Sequence, residues 1–172
     1  MTGEGKASKA EEWRALRRAF IAACEARGLD AIARVHPQKA PDGKPLFMDS
    51  VALGPRHAAK ALLVVTSDAA GSRLLTTLLQ DGVSPPPDAR LVLVHALDPA
   101  DFAGAVPDPT WSAAMLRAVM TEDLAKVAQT SVLVLGDAAR VAQALADASI
   151  TIAQAPPDAA AAARVQAMLA GA

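Results

Sequence analysis

The chain has no tyrosine, and two tryptophans and three phenylalanines bring its aromatic content to only 3% of 172 residues. So few flat side chains argue against a surface built to stack nucleic-acid bases. Charge of one sign is also missing: 17 basic residues against 18 acidic ones leave a net charge of −1, with no electrostatic footprint for a polyanion or an anionic membrane surface. The single cysteine, Cys24, excludes an internal disulfide and fits a reducing compartment. No apolar run approaches the roughly 20 residues needed to span a bilayer, and the opening stretch MTGEGKASKAEEW lacks the apolar core of a secretory signal. The expectation is a soluble, cytoplasmic protein that binds neither nucleic acid nor membrane.

What is present is apolar but small. Hydrophobic residues make up 52% of the chain, yet roughly a quarter of all residues are alanine, which favours helices and fills little volume. The length suits one domain with a sizeable core, read here as a flexible tail over residues 1–10 and a single α/β domain over 11–172. Ser8 and Glu11 have capping-box spacing, and Trp13, Leu16, Phe20 and Cys24 recur at helical intervals up to Gly28. The opposite face carries Arg14, Arg17, Arg18 and Arg27 interleaved with Glu11, Glu12 and Glu25, the pattern of a solvated helix face.

LDAIARVH and KPLFMDSVALG flank a Pro-Asp-Gly turn signal and read as an antiparallel strand pair. ALLVVTS (61–67) and ARLVLVHAL (89–97) are continuous apolar runs, as expected of strands covered on both faces. Between them lies the helical stretch GSRLLTTLLQDG. One helix, or two joined near Thr121, follows from Trp111 to about Ala128. SVLVLG, AARVAQALAD, SITIAQ and PPDAAAAARVQAML then read as strand, helix, strand and helix, the last starting at Pro156, Pro157 and Asp158. Strands alternating with helices predict a mostly parallel sheet with an N-terminal antiparallel pair and helices on both faces.

The chemistry-bearing residues are sparse. His36, His57 and His95 are far apart in sequence and belong to no metal-binding spacing. His95, ending a buried run, suits either a general base or a core histidine bonded to backbone, and the latter is favoured. Ser67 and Ser72 follow a strand without a nucleophile elbow, and SDAAGSR lacks the lysine and glycine spacing of a phosphate loop. Asp98 and Asp137 follow strands, where aspartate commonly caps a helix or turn. A candidate residual crevice at the strand ends comprises Asp68, Ser72, Arg73, Asp98 and Asp137, with Arg73 suited to holding a carboxylate or phosphate.

In order, the segments APDGKPLFMDSVALGP, ALLVVTS, GSRLLTTLL, RLVLVHALDPADFA and WSAAMLRAVMTEDLAKVAQTSVLVLG resemble a bacterial zinc-carboxypeptidase-like family, a domain of unknown function in the metallocarboxypeptidase superfamily. The likeness covers roughly residues 12–137. It implies that a zinc-binding Gly-Thr-His-Gly-Val-Glu-Gly loop should follow the third strand, where this chain passes from Thr66 and Ser67 through Asp68, Ala69 and Ala70 to Gly71 and Ser72. It also implies an Arg- and Asn-rich substrate clamp, where this chain runs through GAVPDP to Trp111, and a third zinc ligand where Leu135, Gly136 and Asp137 stand. On that resemblance the chain is a degenerate, truncated member with no catalytic, metal or cofactor residue assigned. Its expected role is a pseudopeptidase-like binding or assembly module. The alternative is a small-molecule (anion or carboxylate) binder or an unrecognised hydrolase using the residual crevice. A homodimer or an unidentified protein partner is expected, formed by an edge strand or by the helices near Trp111 and Met168, because Val165, Met168 and Leu169 read as an apolar stripe with few partners.

Overall fold

The computed structural model describes residues 2–40, 42–66, 68–96, 109–136, 151–156 and 158–170. The elements run α1 (Thr2–Ala26), β1 (Ile32–Lys39), β2 (Pro45–Leu53), β3 (Lys60–Thr66), α2 (Ala69–Gln80), β4 (Ala89–His95), α3 (Pro109–Leu124), β5 (Gln129–Leu135), β6 (Thr151–Ala155) and α4 (Ala159–Leu169). Six strands form one sheet in the order β1-β2-β4-β3-β5-β6. β1 pairs with β2 and β2 with β4 in antiparallel fashion, while β3, β4, β5 and β6 are mutually parallel. The expected α/β architecture, with its antiparallel N-terminal pair, is therefore the one observed.

Local chemistry accounts for most boundaries. Asp68 and Asp158 sit in extended backbone and accept hydrogen bonds from Gly71 N and Ala160 N, which satisfies amides that the first turns of α2 and α4 leave free. The β1–β2 turn closes through Gly43 N to Ala40 O (2.8 Å), with Gly43 at φ +81°, where a side chain is disfavoured. Every residue of β4 and Ala61–Thr66 of β3 are buried, as continuous apolar runs require when both faces are covered.

One face packs Leu62, Val64, Leu91, Leu93, Leu133 and Leu135 against Phe20 of α1, Leu75 and Leu79 of α2, and Val165 and Leu169 of α4. The other packs Leu63, Val65, Val92, Val94, Val132 and Val134 against Met115, Leu116 and Val119 of α3. Thin alanine-rich cover works because these large strand residues supply the volume.

Several expectations need correcting. α1 begins at Thr2, so Ser8 and Glu11 lie inside the helix rather than at its start. Of the two arrangements expected from Trp111 onward the single helix is the one observed, but it ends at Leu124 rather than near Ala128. Val165 and Leu169 are buried in the core and Met168 packs against it, so the supposed unpartnered stripe is covered by the chain's own sheet. Nor is the arginine face of α1 simply solvated: Arg14 forks onto Asp42 (2.6 and 2.7 Å), Arg17 Nε donates to Asp49 (2.8 Å), and Arg27 donates to Val83 O (2.8 Å). Those tethers fix α1 and the residue just past it to the β1–β2 turn, to β2 and to the turn that follows α2. The expected helix over 138–147, Ser67, Leu97 and the 104–108 segment lie outside the described residues.

Candidate functional site at the carboxyl end of the sheet

In an open α/β sheet, ligands usually bind beyond the carboxyl ends of parallel strands. Here pairing register lines up Asp49 of β2, His95 of β4, Thr66 of β3, Leu135 of β5 and Ala155 of β6 in one row across the sheet. An acid, an imidazole and a hydroxyl thus become neighbours although far apart in sequence. All three are buried, with Asp49 and His95 at 0% exposure.

α1 lies over this row. The His95 ring stacks on Phe20 (centroids 5.7 Å, 21° between planes) and tilts against Trp13 (5.3 Å). Neither ring nitrogen has a hydrogen-bond partner, so the expected bond to backbone is not made. Burial, with the Arg17 charge adding to it, pulls the imidazole down to about 3 and keeps it neutral. Asp49 spends one carboxylate oxygen on Arg17 and leaves Oδ1 unpartnered. Burial pushes its carboxyl above the ordinary value, with Arg17 opposing the rise. The Arg17 guanidinium also lies 4.1 Å from the Phe47 ring centroid, a cation–π placement that holds it over β2. Cys24, on the buried face of α1 itself, is raised to about 11, chiefly by burial, so its thiol stays protonated and is not a nucleophile.

The bend after β3 holds the other half of the site. Asp68 Oδ1 accepts from Gly71 N at 2.6 Å, while a Cβ at Gly136, just past β5, would come within 2.8 Å of Asp68 Oδ2. The carboxylate therefore fills the gap between the ends of β3 and β5. Gly71 is needed because any side chain there would collide with Thr66 Oγ1, and that hydroxyl reaches Leu135 O at 3.4 Å. Ser72 is buried with its Oγ unpartnered. Arg73, 61% exposed, turns outward to Glu12 of α1 (3.2 Å).

Of the five crevice residues expected from sequence, the structure thus brings Asp68 and Ser72 to the strand ends and points Arg73 elsewhere. Asp98 and Asp137 lie outside the described residues. Asp49, Arg17 and Thr66 were missed as site residues. The signal available for Asp49 was a lone carboxylate inside a largely apolar strand, FMDSVAL, which implies a buried charge seeking a partner.

A zinc site of the kind the resemblance implies does not fit these side chains. His36 lies on β1 and accepts from Gln38 N, His57 is exposed between β2 and β3, and His95 is enclosed by aromatic rings. Among the described residues no three His, Cys, Asp or Glu side chains group closely enough to hold a metal ion. Among the same residues no helix is long and apolar enough to cross a membrane.

No curated protein matches the sequence. Among solved structures, the chain is similar to the glutaminyl cyclase of Macrostomum lignano, with TM-score 0.48, 12% identity, and coverage of 86% of this chain and 60% of that one. It is also similar to the carboxylesterase CesB (YbfK) of Bacillus subtilis, with TM-score 0.45, 12% identity and coverage of 87% and 51%. The LapA aminopeptidase of Legionella pneumophila gives TM-score 0.46, 10% identity and coverage of 87% and 48%. The chain thus spans between 48% and 60% of the length of these three proteins. The sequence pattern of one family matches residues 10–106, from α1 through β4 and beyond, more than half of the chain. The chain belongs to the family described as Protein of unknown function (DUF2817).

Proposed function

We propose that the protein is a non-catalytic binding or assembly module, a zinc-carboxypeptidase-like framework whose strand-end site is closed by its own side chains. The observation that carries this reading is Asp68. Its carboxylate, the described acid that follows β3, is committed to Gly71 N–H on one side and packed against Gly136 on the other. Around it, Arg73 is turned to solvent, and His95 is enclosed and held neutral. A general base must reach the proton it takes, and a nucleophile must reach its base. His95 bonds to neither Asp49 nor a hydroxyl.

For assembly, the edge strand β1 is the better surface. Ile32 (44% exposed) and Val35 (55% exposed) are its large exposed apolar residues. Their odd spacing puts them on opposite faces of the strand, so they suit edge pairing by a second copy better than face packing.

The test is zinc analysis of protein purified without chelator, together with peptidase, amidase and p-nitrophenyl ester assays. The expected result is neither stoichiometric zinc nor turnover, and stoichiometric zinc with turnover overturns the proposal. A hydrolase is the second reading, favoured by the Asp49–His95–Thr66 row. It requires ester turnover that disappears in His95→Leu.

A further inference from the structure

At the opposite end of the sheet, where β3, β4 and β5 begin, there is a cavity of about 170 Å³. Register sets its geometry. Lys60, Ala89 and Gln129 form the first row across β3, β4 and β5, and Leu62 and Ser131 form a second row one pleat further in. All five lie on the face covered by α4, whose last turn contributes Met168 and Leu169 as a roof. The cavity is thus divided: a floor and roof of Leu62, Ala89, Met168 and Leu169, and a polar mouth of Lys60, Gln129 and Ser131.

Lys60 gives this cavity a sign. It is half-buried, and no carboxylate among the described residues pairs with it. An ammonium drawn partly out of water without a counter-ion favours an anion that can supply one. Ser131 and Gln129 add donors on the same wall, from β5, the strand paired with β3. The small volume excludes a nucleotide or a peptide, because pockets for drug-sized ligands begin at roughly 300 Å³.

We propose that this cavity binds a small monocarboxylate, with its charge on Lys60, a second contact to Ser131 or Gln129, and a compact apolar body between Leu62 and Leu169. The site stands apart from the closed carboxyl end and adds a ligand class to the proposed binding role. It does not depend on that role, since a catalytic protein would have the same cavity.

The test uses the full chain with butyrate and benzoate as probes, and butyramide and benzamide as neutral counterparts, followed by calorimetry and by amide shifts of β3, β5 and α4. The carboxylates are expected to bind and the amides to bind about tenfold more weakly, the scale of one charge-assisted hydrogen bond. Lys60→Met should lower carboxylate affinity by a similar factor and leave amide affinity unchanged, while Lys60→Arg should restore most of it. The melting temperature of each unliganded variant reports whether it folds. Equal binding of acids and amides, shifts confined to other elements, no binding by either acid, or carboxylate affinity unaltered in a folded Lys60→Met protein would each overturn the proposal.

Discussion

His95→Leu is the most informative single change. The wild-type imidazole is wholly buried, holds neither nitrogen in a hydrogen bond, and is pulled down to about 3. Leaving a buried donor and a buried acceptor unmet costs about 1–3 kcal/mol each, so removing both returns about 2–6 kcal/mol. Leucine forfeits the ring contacts with Trp13 and Phe20, worth together about 1–3 kcal/mol. The variant should therefore be more stable by about 2 kcal/mol near pH 7.

Acid separates the two proteins further. The folded pKa of His95 is depressed, so in the window between the ordinary 6.5 and about 3 the unfolded chain binds the extra proton. The stability contributed by the neutral ring is fully present above 6.5 and is lost as pH falls, at up to about 1.4 kcal/mol per pH unit. His95→Leu removes that slope, so near pH 4.5 the variant should lead by about 5 kcal/mol. Asp49 acts with the opposite sign, because its carboxyl is raised. Its contribution is present below 3.8 and lost as pH rises through the folded value. Being common to both proteins, it cancels in the difference. Urea unfolding followed by circular dichroism at several pH values measures the gap. A variant less stable than the parent by about 2 kcal/mol near neutrality, with the acid slope unchanged, would refute the reasoning.

Arg17→Met should cost about 3 kcal/mol near neutral pH, because it strands the buried Asp49 charge. That loss should shrink as pH falls and Asp49 protonates, which chemical denaturation at two pH values will read. Gly54→Ala should destabilise by at least about 2 kcal/mol, since Gly54 has φ +95° and a Cβ there would strike Ala89 O, and thermal unfolding measures it. Asp68→Ala should cost about 1 kcal/mol through loss of the α2 cap. In the proposed non-catalytic protein it should alter no ester or peptide turnover, so loss of a measurable activity on this change would count against that function. For assembly, sedimentation equilibrium should give twice the 17.6 kDa chain mass at micromolar concentration, and Val35→Lys should shift it towards the monomer. A single-chain mass unchanged with concentration would reject pairing through β1.

The sequence alone determined what depends on near neighbours. The order of strands and helices, the Asp158 cap, the turn at Gly43 and the double-faced burial of β3 and β4 are each set within a few residues, by side-chain spacing, backbone freedom and hydrogen-bonding groups close at hand. The tertiary structure decided what depends on strand order. The residues of β2 report how apolar its faces are but not which strand lies beside it, so the row of Asp49, His95 and Thr66 exists only because β4 inserts between β2 and β3. The same holds for Arg17, whose place among interleaved glutamates looks solvated until the sheet brings Asp49 beneath it, 32 residues away in sequence. Asp68 is the intermediate case. Its helix-capping bond is local, but its closure of the strand-end gap depends on Gly136, which the parallel pairing of β3 with β5 brings alongside.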